Sequence, residues 1–192
     1  MATCAFWGMA RVGEVTVQSR KSFSPLYHPT RSCATQGHDK KGIPYVQIDL
    51  PETIGRGKHS IWLTQQGQLC PMAALRNMDK ITPALAGHPL FCLRDRKGNV
   101  RPLVRKEAME RVSEILEKKT WKSEFGYSFR AGGAAHYLAK GRDPEVIKKA
   151  GRFGPLGSWR RVVASSSTAG GSGEWLLLAG ITQPHPSHVH FP

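Results

Sequence analysis

The chain has 192 residues, and its 28 Lys and Arg against 14 Asp and Glu give a formal net charge of +14. This length suits one domain with a single core, and the charge makes a polyanionic partner the first expectation, with a merely solvated basic surface as the alternative. The longest apolar run, Trp175–Ile181, is too short to span a membrane, and the beginning has no signal-peptide form, so we expect an intracellular protein.

The first part of the chain predicts little regular structure. Residues 4–11 are typical of the end of an apolar helix, and Glu14–Val17 predicts a short strand. Residues 20–42 contain Ser, Pro, His and Lys without periodicity, and we expect a loop there.

A β-hairpin is predicted next. Residues 45–50 and 60–64 both alternate apolar and polar side chains, and a Gly-rich turn that carries Lys58 joins them.

Four helices follow in the prediction. Pro71 marks the beginning of the first, and residues 105–119 have the period of an amphipathic helix, with Ala108, Val112, Ile115 and Leu116 on one face. Residues 129–140 form the third helix, and Asp143-Pro144 begins the fourth, which runs to Ala150.

Basic residues are concentrated in one region. Between residues 94 and 161 there are 18 Lys and Arg against 8 Asp and Glu, a net charge of +10, whereas residues 162–192 have no Lys or Arg and only one acid, Glu174. Because residues 165–173 are Ser- and Gly-rich, we expect residues 163–192 to be a disordered tail.

Four segments occur in the order found in one protein family. They are Ala10-Arg11-Val12-Gly13-Glu14, the hairpin of residues 45–64, Gly126-Tyr127-Ser128-Phe129-Arg130 and residues 138–153, which end in Gly-Arg-Phe. In this order they resemble the arginine box, lysine hairpin, His-x-x-Arg box and Gly-His or Gly-Arg-Trp box of the tyrosine recombinase (integrase) catalytic domain, particularly the fungal DNA breaking-rejoining type. The resemblance implies an α+β fold, mainly helical with a small antiparallel sheet, in which residues 1–162 are an incomplete catalytic domain.

The resemblance assigns a phosphate clamp to Arg11 and Arg130. In the family, two such arginines hold one DNA phosphate while a tyrosine attacks it, and planar, permanently charged guanidinium groups suit the charge that develops on the phosphate oxygens. An ordinary ion pair between Arg11 and Glu14 is the alternative.

Three further positions match catalytic positions with less agreement. Lys58 would be the general acid of the hairpin, with a solvated turn lysine as the alternative. Tyr127 lies where the family has histidine and is a poorer proton shuttle near neutral pH. Phe153 replaces histidine or tryptophan and supplies only packing.

The sequence provides no nucleophile. Arg161 lies where the resemblance places the tyrosine, and a guanidinium that stays protonated cannot attack phosphorus. No tyrosine follows Tyr137, which we interpret as a packing residue. We therefore expect a pseudoenzyme, unless another protomer supplies the tyrosine.

The expected partner is double-stranded DNA, and other recombinase protomers are a second possibility; neither a membrane nor a small-molecule substrate is expected. The location would be nuclear. An RNA- or nucleoprotein-binding module without recombinase ancestry is the alternative. Seven basic residues are predicted to contact DNA: Arg105, Lys106, Lys148, Lys149, Arg152, Arg160 and Arg161.

No cofactor or metal is predicted. The four cysteines have no Cys-x-x-Cys spacing. His185, His188 and His190 lie in the Pro- and His-rich end of the chain, which favours disorder over metal binding.

Overall fold

The computed structural model describes residues 1–51, 59–67, 69–118 and 128–154, together with residues 159, 162 and 163. Within them the chain is a mixed helix and sheet fold of six α-helices and two small antiparallel sheets. The elements in chain order are α1 (Ala2–Trp7), α2 (Val12–Val15), β1 (Ala34–His38), β2 (Pro44–Leu50), β3 (His59–Thr64), α3 (Pro71–Ile81), β4 (Cys92–Arg94), β5 (Val100–Pro102), α4 (Arg105–Lys118), α5 (Ser128–Ala139) and α6 (Pro144–Ala150).

The predicted hairpin is confirmed and forms two strands of a three-stranded sheet in the order β1-β2-β3. Val46 pairs with Leu63 and Ile48 with Ile61, and all four side chains are buried. The alternating pattern therefore places one face of the sheet in the core. Lys58 lies outside the described residues.

The loop predicted for residues 20–42 is wrong at its end, because residues 34–38 form β1. Its backbone pairs with β2 from Ala34 opposite Ile48 to His38 opposite Pro44. None of its five side chains is fully buried, so this edge strand lacks the alternation that would reveal it in the sequence. The two-stranded sheet of β4 and β5, three residues each, was not predicted either.

The strand predicted at Glu14–Val17 is also wrong, because α2 covers residues 12–15. The backbone N–H of Arg11 donates to the Glu14 carboxylate at 2.8 Å, and this interaction closes a helical turn that β-branched valines would not favour. Only Val17 is strand-like. Its N–H donates to the Leu103 carbonyl at 3.0 Å, and the Arg105 N–H donates to the Val17 carbonyl at 2.8 Å.

The four predicted helices are confirmed as α3 to α6. Pro71 is the first residue of α3, and the Asp143 side chain accepts the Glu145 N–H at 2.8 Å to begin α6. On α4, Ala108 is buried, whereas Ile115 is 47% exposed within the part of the chain that the structure describes.

The core joins the sheet to α1, α3, α5 and α6. Helices α1 and α5 approach closely, since a Cβ atom at Gly133 would lie 2.0 Å from the Phe6 carbonyl oxygen. The Tyr137 hydroxyl donates to the Trp7 carbonyl at 3.1 Å across the same contact. Val162 is buried in this core, while the predicted tail lies outside the described residues except for Val163.

Candidate functional site

Arg11 caps α2 and forms an ion pair with Glu14. Its Nη1 atom lies 2.9 Å from Glu14 Oε1, and its side chain is 43% exposed. The ion pair weighed as the alternative for Arg11 is therefore present. It leaves the guanidinium partly open to solvent, where an anion could reach it.

Glu14 also contacts Arg152, which comes from the other end of the described chain. Arg152 Nη2 lies 2.7 Å from Glu14 Oε2, and only 8% of the Arg152 side chain is exposed. Burial by itself would raise the pKa of Glu14, but the charge of Arg152 and the hydrogen bonds from Arg11 and Arg152 outweigh it and hold the pKa below its ordinary value. Glu14 is therefore a carboxylate at neutral pH.

The backbone of Arg152 links this ion pair to α5. Arg152 has a φ of +55°, in the left-handed region that a non-glycine residue adopts at a cost of about 1 to 2 kcal/mol. Its carbonyl accepts a hydrogen bond from Arg130 Nη2 at 2.6 Å. The turn after α6 is thus held by two contacts of Arg152, one through its carbonyl to Arg130 and one through its guanidinium to Glu14.

Arg130 lies over the ring of Phe153. The centre of its guanidinium is 4.2 Å from the ring centroid, a cation–π distance, and Arg130 and Phe153 are 4% and 6% exposed. Phe153 also contacts Trp159, with ring centroids 5.4 Å apart. Phe153 thus packs between Arg130 and Trp159.

We call Arg11, Glu14, Arg130, Arg152 and Phe153 the arginine cluster. It joins the segments that carry the first arginine, the second arginine and the last box of the sequence resemblance. Three guanidinium groups and one carboxylate give it a formal charge of +2. Such an excess of planar donors suits a phosphate, and Arg11 is the member most open to solvent.

The other predicted site residues either have no side-chain contact with the arginine cluster among the described residues or lie outside them. Arg105 and Lys106 are exposed in the first turn of α4, and Lys106 lies 3.8 Å from Glu110. Lys148 pairs with Glu145 on α6 at 3.3 Å, and Lys149 is exposed. Four predicted residues lie outside the described residues: Lys58, Tyr127, Arg160 and Arg161.

Tyr137 has the environment of a core residue. Its hydroxyl is buried and donates to the Trp7 carbonyl, and burial raises the pKa of the phenol well above its ordinary value. A phenol that ionises with such difficulty is a poor nucleophile at neutral pH.

The role of Glu14 in joining Arg11 to Arg152 was missed in the sequence. Three-residue spacing indicates the contact with Arg11, but no local pattern connects Glu14 to a residue 138 positions away. For Arg152, which lies in the Gly-Arg-Phe segment, the sequence predicts a DNA contact and not an ion pair.

A third arginine with a largely covered side chain, Arg31, lines a cavity between α3 and the three-stranded sheet. Arg31 forms an ion pair with Asp79 there, and its Nη2 atom donates to the Thr82 carbonyl at 3.0 Å. The Arg31 side chain is 9% exposed, so this guanidinium is less open to solvent than that of Arg11.

Neither a membrane helix nor a metal cluster is found in the part of the chain that the structure describes. None of its helices is both long and apolar enough to cross a bilayer, and no three His, Cys, Asp or Glu side chains group so as to hold a metal ion. No protein-family model matches the chain, and no curated protein matches it.

Proposed function

We propose that this chain is a DNA-binding protein of the tyrosine recombinase type that holds a DNA phosphate without cutting the strand. The observation that carries the proposal is the arginine cluster, in which Arg11 and Arg130 are joined through Glu14 and Arg152. These contacts hold the segments of two arginines distant in sequence against each other, and this supports a phosphate site to which both contribute.

In this proposal Arg11 is the entry point of the phosphate. Its half-open guanidinium can exchange its Glu14 contact for a DNA oxygen, because ion pairs this accessible are weak and in contact with water. Arg130 is nearly buried, and Phe153 and the Arg152 carbonyl fix its position. It supplies a fixed positive charge beneath the phosphate. Lys58 and Tyr127 keep the roles that the resemblance gives them, as general acid and as hydrogen-bond donor.

Strand cleavage is absent from the proposal because no nucleophile is available. Arg161 lies where the resemblance requires a tyrosine, and the buried Tyr137 hydroxyl donates to a backbone carbonyl. A chain of this kind binds DNA alone or beside other recombinase protomers, and its place would be the nucleus. In this proposal, DNA recombination and DNA integration are activities of the ancestors of this chain.

The alternative is an RNA- or nucleoprotein-binding module, which the net charge of +14 would serve equally well. Charge alone does not require the arginines of separate segments to meet. The arginine cluster therefore favours the recombinase-type proposal.

Salt-dependent binding tests the proposal. We expect the logarithm of the association constant for duplex DNA to fall linearly with the logarithm of salt concentration, because phosphate contacts release counterions. Replacing Arg11 with Ala should weaken binding and reduce that slope by about 1. Fluorescence anisotropy with a labelled random-sequence duplex measures both quantities.

Arg76→Ala is the matched control, since Arg76 is an exposed arginine of α3 that is not a member of the arginine cluster. It should bind like the unchanged protein. A salt-independent association, or equal losses in the two variants, would overturn the proposal. Preferential binding to duplex RNA in competition would favour the alternative.

A further inference from the structure

Two hairpin turns of this chain have nearly the same sequence and geometry. Asp39-Lys40-Lys41-Gly42 joins β1 to β2, and Asp95-Arg96-Lys97-Gly98 joins β4 to β5. Gly42 and Gly98 have φ values of +78° and +84°, which L side chains rarely adopt. Each turn therefore holds two neighbouring cations on a tightly defined backbone.

The aspartate of each turn fixes that backbone. Asp95 Oδ1 accepts the N–H groups of Lys97 and Asn99, both at 2.8 Å, and Asp39 Oδ1 accepts those of Lys41 and Ile43 at the same distances. The hydrogen bond from the Asn99 N–H is the main reason why the pKa of Asp95 lies below its ordinary value. The carboxylate is thus engaged with the backbone instead of the neighbouring cations.

The surroundings of the β4–β5 turn distinguish it from the other. Arg94 braces it through Nη1 to the Gly98 carbonyl at 2.7 Å and through Nη2 to the Pro83 carbonyl at 2.8 Å. Beside it, Glu107 binds Arg20 at 2.7 Å and also binds Arg101. The carboxylates of this region are occupied, and Arg96 and Lys97 have no ion-pair partner among the described residues.

These side chains form one basic surface, which we call the hairpin surface. It has seven cations and three carboxylates: Arg20, Arg94, Arg96, Lys97, Arg101, Arg105 and Lys106 with Asp95, Glu107 and Glu110. Backbone hydrogen bonds from Val17 to Leu103 and from Arg105 to Val17 attach it to the segment that follows α2. Val17 lies two residues after α2, the helix that Arg11 caps.

We propose that the hairpin surface is a second phosphate-contacting surface, with Arg96 and Lys97 at its tip bound to the backbone of the same duplex DNA. This inference rests on the proposed function and extends it to a site separate from the arginine cluster. Duplex DNA has one negative charge per about 1.7 Å of its axis. Two adjacent cations can therefore each contact a phosphate of the DNA backbone, whereas a single carboxylate would offer them only one charge. The braced turn lowers the ordering cost of the contact.

Paired alanine variants test the inference. Replacing Arg96 and Lys97 with Ala removes two contacts, so the salt slope for duplex DNA should become less negative by about 1.8. When salt rises from 50 to 200 mM, the affinity of the unchanged protein for duplex DNA should therefore fall by a factor about twelve times larger than that of the variant. The change should be similar for unrelated sequences, because phosphate contacts do not read bases.

Lys40→Ala with Lys41→Ala is the matched control, with the same charge change in the same kind of turn. That turn belongs to the three-stranded sheet, whereas Arg96 and Lys97 lie in the turn of the separate two-stranded sheet. The control should keep the slope of the unchanged protein.

The outcomes separate the two proposals. If the unchanged protein does not bind DNA in a salt-dependent way, the proposed function fails. If it does bind, but the Arg96 and Lys97 variant keeps the full slope or the control loses as much, the hairpin surface is overturned alone. A slope change seen only with duplex RNA would also overturn it.

Discussion

Glu14 lies between two arginines that arrive from different parts of the chain. Its contact with Arg11 stays within one helical turn, whereas its contact with Arg152 fixes the end of α6 against α2. The Arg152 side chain is 8% exposed, so the loss of the Glu14 charge would leave a nearly buried cation without its carboxylate.

Replacing Glu14 with Gln should therefore lower the free energy of unfolding by about 2 kcal/mol at pH 7. The folded-state pKa of Glu14 is lowered, so its contribution is complete above the unfolded value near 4.5 and is lost as the pH falls through the folded pKa. The difference between the two proteins should shrink towards pH 3. Urea denaturation at both pH values measures it.

Glu114→Gln provides the comparison, because Glu114 pairs with Arg111 at 2.7 Å but is 56% exposed. Its effect should be close to zero at either pH. An equal loss in both variants would show that the Arg152 contact adds nothing.

The contact between α1 and α5 depends on one glycine. A Cβ at Gly133 would lie 2.0 Å from the Phe6 carbonyl oxygen, which belongs to a backbone that cannot easily shift. A Cβ at the neighbouring Gly132 would lie 3.2 Å from the ring of Phe6, which can rotate. The close approach of α1 and α5 therefore requires a glycine at position 133 but not at position 132.

Gly133→Ala should destabilise the protein by about 1 to 3 kcal/mol, since overpacking exceeds the gain of about 1 kcal/mol in helix propensity. Gly132→Ala should stay within about 1 kcal/mol of the unchanged protein. Thermal unfolding followed by circular dichroism compares them. Equal melting temperatures would contradict the close approach of the two helices.

Elements with a strong local periodicity or cap signal were predicted correctly, and elements without one were not. The β2–β3 hairpin and α3 to α6 have alternation, periodicity or caps in their own residues. In contrast, β1 depends on pairing with β2, and α2 depends on a side-chain contact that offsets the strand preference of its valines. Strand β4 has only three residues and too little pattern to be seen.

At the scale of the whole molecule, the net charge and the missing nucleophile lead to one expectation. The chain should bind DNA and form no covalent link to it. Incubation with nicked suicide duplexes of random sequence, followed by denaturing electrophoresis, should show no protein–DNA adduct. A covalent adduct would contradict this expectation, and Tyr127→Phe and Tyr137→Phe variants would then identify the attacking residue.

The sequence by itself determined the charge, its concentration between residues 94 and 161, the absence of a tyrosine after Tyr137 and the elements with local periodicity. These are properties of composition and near neighbours, which need no knowledge of the fold. Only the tertiary structure decided that Arg152 binds Glu14, that Arg130 lies on Phe153, and that the two Asp-basic-Lys-Gly turns differ in their surroundings. Contacts of this kind join residues far apart in the chain, and the packing of α2, α5 and α6 brings them together.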